Sequence, residues 1–321
     1  ASVTDATPAS FVAHSNHRWC QGPDSMSGEY ERMPILNFDC EYRSKANGGP
    51  GSIAEQLSVS GLDLLLGGGA EHFEQPVEAS DASTVLDLAR SSGFSVAFNR
   101  DDLLKLSDAR RVLGLFAEDT MPVKLRGVGN AKAAPITRNE GEIQEPAPFS
   151  CEPNPDFTGM PTLAEMTGFA LDHMPEAGSF VLMIESASID KQSHVRQPCG
   201  HIGELGQLDE AVALALAYSE RHPETLVLVT ADHAHIAHII FEPNFLASTG
   251  FSSPGHVARV NTPEGGTIRI NYAGTDFPVQ DGHSGAQVPL LASGPGASDL
   301  PIFLEQTDIF EIMSNYLNLA Q

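Results

Sequence analysis

Leu226-Val227-Leu228-Val229-Thr230-Ala231-Asp232-His233 is an apolar run that breaks directly into an acid and an imidazole. A second stretch has the same form: Ser179-Phe180-Val181-Leu182-Met183-Ile184 ends on Glu185. Continuous apolar runs of this kind predict strands buried on both faces, as in a parallel sheet under helices. Between them, Leu205, Leu208, Val212 and Leu216 recur at helical spacing and predict a helix from about Leu205 to His222. Strand, helix and strand in that order predict an α/β fold with helices on both faces of the sheet.

Further out, Val112–Phe116 and Leu290–Ala292 read as similar strands. Leu64–Leu66 reads as a strand that ends in a turn at Gly67-Gly68-Gly69, which lacks the spacing of a phosphate-cradling glycine loop. Thr162 and Glu165 form a capping-box pattern ahead of Met166, Phe169 and Ala170, so a helix begins there. A last helix is expected near Thr307–Leu317, capped by Thr307 or Asp308, with Ile309, Phe310, Met313 and Leu317 as its apolar stripe. Asn47–Gly51, Gly127–Pro155 and Pro254–Pro278 are rich in proline and glycine and read as loops or excursions. No linker divides the chain, so a single domain over residues 1–321 is expected.

The composition, with 41% hydrophobic and 19% charged residues among 321, is that of a globular protein. Forty-two acids against 18 lysines and arginines give a net charge of −24, which argues against nucleic acid or an anionic membrane as partner. No apolar run has the length of a membrane span. The acids are scattered, as in Asp101-Asp102, Glu118-Asp119 and Asp209-Glu210, which predicts a solvated acidic surface of the halophilic kind. The first residues, Ala1-Ser2-Val3-Thr4-Asp5, lack the form of a signal peptide and lead at once into dense sequence, so an upstream part is expected to be missing. The four cysteines fall into local pairs, Cys20 with Cys40 and Cys151 with Cys199, without zinc-knuckle spacing. Two disulfides in an oxidising compartment and four reduced, buried thiols both fit that pattern.

The chemistry gathers at strand ends. Glu185 follows one apolar run, with Asp190 and His194 spaced i, i+4 just beyond. Asp232 and His233 follow the other, with His235 and His238 next, and His283 stands in Asp281-Gly282-His283-Ser284-Gly285. Groups at the carboxyl ends of strands in an open parallel sheet converge on one crevice. Carboxylates and imidazoles gathered there suit Zn²⁺, and hard oxygen ligands can add Mg²⁺. His235 and His238 fit outer groups around such a site, or ordinary packing, equally well. The order His-x-His-x-Asp-His of metallo-β-lactamases does not occur. The pattern points to a hydrolase with two or more metals.

Several stretches, taken in order, resemble bacterial alkaline phosphatases. They are Asp5-Ala6-Thr7-Pro8-Ala9 with Arg18 and Cys20, the Leu66–Ala70 turn, Leu113–Val123, and Glu185-Ser186-Ala187-Ser188-Ile189-Asp190-Lys191-Gln192-Ser193-His194. Pro198-Cys199-Gly200, Leu208-Asp209-Glu210-Ala211, Thr230-Ala231-Asp232-His233-Ala234-His235 and His283-Ser284-Gly285 complete the set. The resemblance runs from Ala1 to Gln321 and implies a three-layer α/β sandwich with a mostly parallel central sheet. It implies a surface excursion over roughly residues 236–282, two Zn²⁺ and one Mg²⁺, and phosphate monoesters as substrates. Asp190, His194 and His283 match the ligands of the first zinc, which binds the water that attacks the phosphoenzyme. Asp232 and His233 match ligands of the second, which stabilises the serine alkoxide. Thr7 and Glu185 match magnesium ligands. Asp5 and Lys191 match the outer groups reaching metal-bound water or phosphate, and His235 is expected among the outer groups beside them. Arg18 matches the arginine that grips two phosphate oxygens with its planar fork. The pairs Cys20–Cys40 and Cys151–Cys199 match the family's disulfides, which implies a periplasmic or secreted protein, and the resemblance also implies a homodimer.

The sequence departs from the family in one respect. The Thr-Asp-Ser-Ala motif that carries the nucleophilic serine does not occur, nor does the upstream aspartate that bridges the second zinc and the magnesium. Asp24-Ser25 lies inside the Cys20–Cys40 loop, past the nucleophile's place in the family order. The expectation is an enzyme whose serine lies outside this chain, on a companion N-terminal fragment or on a truncated upstream segment. The alternatives are a phosphodiesterase or sulfatase relative on the same metal scaffold, and a metal- or phosphate-binding protein without turnover.

Overall fold

The computed structural model describes residues 1–15, 17–27, 40–78, 83–140, 142–175, 178–241, 255–272 and 282–319. They gather into two compact units, Ala1–Pro122 with Pro155–Ala170, and Val123–Asn154 with Leu171–Gln321. Among the described residues no helix is long and apolar enough to cross a membrane.

In the first unit a parallel sheet has the order β1, β3, β2, from Leu64–Gly67 (β1), Ser95–Ala97 (β2) and Val112–Leu115 (β3). The central strand β3 is buried at all four residues, as its unbroken apolar sequence predicts. Five helices accompany the strands: Ala6–Ser10 (α1), Ile53–Ser58 (α2), Ala70–Phe73 (α3), Val85–Ser91 (α4) and Arg100–Leu104 (α5). A sixth, Leu163–Asp172 (α6), belongs to the unit through Ala170. Leu65, Leu113 and Leu115 pack with Ile53 and Leu57 of α2 and with Val85 and Ala89 of α4. Val112 and Phe116 pack with Leu103 of α5 and Phe169 of α6. The sheet thus lies between helical layers, the α/β arrangement the sequence predicts. The capping box of α6 forms as expected: Thr162 Oγ1 accepts from Glu165 N–H, and Glu165 accepts from Thr162 N–H.

In the second unit the Pro- and Gly-rich stretch 127–155 is not all loop. It follows Leu125–Gly127 (β4) and contains Ala134–Pro135 (β5), Thr137–Asn139 (β6), Glu142–Gln144 (β7) and Cys151–Pro153 (β8). Ser188–His194 (α7) and Pro198–Arg221 (α8) come next, then Val227–Val229 (β9), Ala234–His235 (β10) and Ala237–Ile240 (β11). His256–Asn261 (β12), Thr267–Tyr272 (β13), His283–Ser284 (β14), Leu291–Ser293 (β15) and Asp308–Tyr316 (α9) complete the unit. Strands β11, β13, β12 and β5 form an antiparallel sheet, so the described part of 236–282 is strand with a buried side. Ala258, Val260, Ile270 and Tyr272 pack there with Cys199 and Ala133. The remainder of that expected excursion, with Asp281, lies outside the described residues.

Three expectations change. Residues 179–184 carry no ladder, because no neighbouring strand among the described residues offers them hydrogen bonds. The run 226–230 does form a strand, but β9 pairs antiparallel with β15 instead of entering a parallel sheet. The helix expected from Leu205 begins at Pro198, and its buried stripe is Cys199, Gly203, Gln207, Ala211 and Tyr218. Leu205 is 56% exposed. Small residues select the buried face by allowing close approach: a Cβ on Gly203 would meet Leu125 Cβ at 3.0 Å.

Both disulfides form, Cys20–Cys40 in the first unit and Cys151–Cys199 in the second.

Candidate metal centre

Helix α7 supplies the first half of the site. Residues four apart stack on one helical face, and His194 Nε2 lies 3.3 Å from Asp190 Oδ1. The β10–β14 ladder supplies the second half, since its register sets His235 opposite His283. His283 Nε2 lies 3.2 Å from Asp190 Oδ1 and 3.0 Å from His194 Nε2. His235 Nε2 lies 3.6 Å from the same carboxylate oxygen. Asp190, His194, His235 and His283 therefore present one donor atom each within 4.8 Å of one another. His233 adjoins them, its Nε2 4.0 Å from Asp190 Oδ1 and its ring stacked on His283 at 3.5 Å between centroids. Asp232 is largely exposed, with Oδ2 3.4 Å from His233 Nε2 and Oδ1 accepting from the His233 N–H at 3.1 Å.

The donors fit a zinc-type ion. Asp190 Oδ1, His235 Nε2 and His233 Nδ1 are shielded from solvent without a well-formed hydrogen bond among the described residues. Buried polar atoms are normally satisfied, and a cation is a partner that a carboxylate oxygen and imidazole nitrogens can share. Two imidazole nitrogens bound tetrahedrally to one zinc stand about 3.3 Å apart, close to the 3.0 Å between His194 and His283.

The electrostatics agree. Burial, and then the neighbouring His194 imidazole, push the His235 ring down to about 4. Burial and His233 hold His283 below its ordinary value. Both rings are thus kept in the neutral, lone-pair-bearing state in which imidazole binds a metal. Burial alone would raise the Asp190 carboxyl, but the nearby His194 imidazole and the other surrounding rings outweigh it and hold the group below the usual carboxylate range.

The remaining expected residues fall in both units. Glu185 precedes α7 and Lys191 lies on it, both half-buried. In the first unit Asp5 caps α1, with Oδ1 accepting from Ala6 N–H at 2.8 Å and from Arg18 Nη2 at 2.6 Å. Thr7 lies within α1. Ser25 is buried and its hydroxyl donates to the Gly22 carbonyl at 2.6 Å. His238 is exposed on β11. His235, expected among the outer groups, stands in the donor cluster itself; its spacing from His233 gives no sign of that, because the register with β14 brings it in.

Scaffold and cluster define a class: an α/β protein whose carboxylate and imidazole donors converge in a set that suits a metal ion. The alkaline phosphatase family model matches residues 1–276, and the chain belongs to that family. It is 37% identical to alkaline phosphatase H of Pseudomonas aeruginosa, over 99% of this chain and 63% of that protein. It is 39% identical to the streptomycin-6-phosphate phosphatase of Streptomyces griseus, over 99% of this chain and 67% of that protein. Its fold is similar to that of a variant alkaline phosphatase from the Antarctic bacterium TAB5 with magnesium bound in its M3 site. That likeness has a TM-score of 0.61 at 21% identity and covers 100% of this chain and 70% of the other. The chain thus spans roughly two thirds of the length of such relatives.

Proposed function

We propose that this chain forms the metal- and phosphate-binding part of an enzyme that hydrolyses phosphate monoesters to an alcohol and inorganic phosphate. The observation that carries the proposal is the Asp190–His194–His235–His283 cluster, in a chain of the alkaline phosphatase family. The relative that acts on streptomycin 6-phosphate supports phosphate monoesters as the substrate class. Asp190, His194 and His283 would hold one zinc, with His235 beside them. Asp232 and His233 would hold part of the second, and Thr7 and Glu185 would serve a magnesium. When bound, these ions supply the positive charge that offsets charge developing on the phosphoryl oxygens.

The protein's own groups bind and orient. The Arg18 guanidinium offers two parallel N–H donors to phosphate oxygens. Asp5 holds it by a 2.6 Å ion pair and is itself fixed as the cap of α1. Lys191 adds a point charge on α7, one position beyond Asp190. The phosphoryl group passes to a serine hydroxyl supplied by polypeptide outside this sequence, releasing the alcohol. Water then cleaves the phosphoserine, so one difficult step becomes two easier ones. The two disulfides support an oxidising compartment, the periplasm or the exterior. The charge of −24 supports a salty environment. We assign both units to one family domain that acts as a homodimer.

The test is p-nitrophenyl phosphate hydrolysis at alkaline pH by the chain combined with a serine-bearing N-terminal segment of a relative, with zinc and magnesium added. Turnover that chelation abolishes and zinc restores is the expected result. Full zinc loading without turnover would overturn the catalytic reading in favour of a binding protein.

A further inference from the structure

A second cluster of metal-ligating groups lies wholly within the first unit and takes no part in the function proposed above. It comprises Glu71, His72 and Asp119, whose donor atoms lie within 4.8 Å of one another. The fold places them there. β1 and β3 are parallel neighbours, so their carboxyl ends lie side by side, the position where open α/β sheets take ligands. Glu71 and His72 follow β1 through the glycine turn, and Asp119 follows β3.

Backbone hydrogen bonds lock the two segments together. Gly69 and Ala70 N–H both donate to the Ala117 carbonyl, and Glu71 N–H donates to that of Glu118. Gly68 is needed for this approach, since a Cβ there would stand 1.9 Å from the Asp119 carbonyl oxygen. The side chains differ in exposure in a useful way. His72 is only 5% exposed, with Nε2 fully shielded, while the Glu71 side chain is 38% exposed and leaves a route from solvent. His72 Nε2 stands 3.7 Å from Glu71 Oε1, beyond hydrogen-bond length. Three ligands on an ion with bonds of about 2.1 Å stand roughly 3–3.6 Å apart. Side-chain movements of about 1 Å would close the trio onto one ion, a shift within the reach of two half-exposed carboxylates.

We infer that Glu71, His72 and Asp119 form a binding site for a divalent transition-metal ion of the zinc type, clamping the end of β1 to the end of β3. One imidazole with two carboxylates is a borderline donor set, which favours such an ion over Mg²⁺ or Ca²⁺. Three protein ligands leave at least one position for water.

The test uses the whole chain and zinc alone. Crystals soaked in Zn²⁺ are measured at the zinc absorption edge, and bound zinc is counted after dialysis in the wild type, His72→Gln and Asp119→Asn. The expected result is an anomalous peak among the three side chains and a loss of one zinc equivalent in each variant, with the Asp190 cluster still loaded. Asp119 is half-exposed, so Asp119→Asn keeps the test valid if His72→Gln does not fold. Zinc at the Asp190 cluster with no peak at Asp119, or an unchanged zinc count in Asp119→Asn, would overturn the inference.

Discussion

Removing the Cys151–Cys199 disulfide by substituting both cysteines with serine tests how the metal-bearing unit is held together. The bond joins β8 to the start of α8 and closes a loop with a sequence separation of 48. Cross-linking restricts the unfolded chain by about 2.1 + 1.5R ln n cal/mol/K, which for n of 48 at 25 °C is about 4 kcal/mol. The same expression for Cys20–Cys40, with a separation of 20, gives about 3.3 kcal/mol. Each bridge lies inside one unit, so each pair of substitutions weakens its own unit. Urea unfolding of wild type and both double variants, followed by far-UV circular dichroism, measures the two losses. The second-unit variant is expected to lose more, by about 0.8 kcal/mol. It is also expected to bind zinc at Asp190 more weakly, because α8 packs against α7. A larger loss from the Cys20–Cys40 pair, or a loss below about 2 kcal/mol from Cys151–Cys199, would refute the loop-entropy reasoning.

Other outcomes follow from particular groups. Glu78, half-buried beside Glu55, has its carboxyl pushed up from 4.5 to about 7 by desolvation first and by Glu55 second. The native state therefore holds a proton that the unfolded chain has lost between those values, and this contribution to stability fades as pH rises through 7. Glu55 is held down instead, since its bonds to Lys45 and Ser52 outweigh burial, and its contribution is lost as pH falls below 4.5. Glu78→Gln should raise the urea midpoint relative to wild type at pH 8 and much less at pH 5; equal gaps at both would contradict the linkage. Arg269 is 1% exposed and ion-paired with Glu145, so Glu145→Ala leaves a buried guanidinium without its counter-charge and should cost about 3–5 kcal/mol in urea unfolding. A loss under about 1 kcal/mol would show that the charge finds other solvation. If the acid excess is a salt adaptation, the melting temperature should rise markedly in molar NaCl, whereas a flat or falling curve would remove that reading.

What the sequence made legible was whatever depends on local pattern. The buried strand Val112–Leu115, the capped helix after Thr162 and the i, i+4 pair Asp190 and His194 each follow from residues near one another in the chain. Pairing partners depend on distant segments and were not legible. Nothing in Leu226–Thr230 shows that its neighbour is antiparallel β15, and nothing in Ser179–Ile184 shows that it carries no ladder among the described residues. The leucine spacing points to the wrong face of α8, because leucines mark hydrophobicity while glycine and alanine mark close packing, and here close packing decides. For the site, the resemblance to the family brought Asp190, His194 and His283 together across 93 positions, where spacing alone offered only separate weak signals. Asp119 counted in the sequence as one more surface acid, and only the parallel register of β1 and β3 brings it to His72.

Everything proposed for this chain depends on the imidazoles gathered around Asp190 binding a metal ion. Zinc bound per chain is counted after dialysis for the wild type and Asp190→Ala, with circular dichroism confirming that both are folded. Asp190→Ala is expected to lose at least one equivalent of zinc, because the Asp190 carboxylate faces all three imidazoles of the cluster. An unchanged zinc count in the folded variant would contradict it.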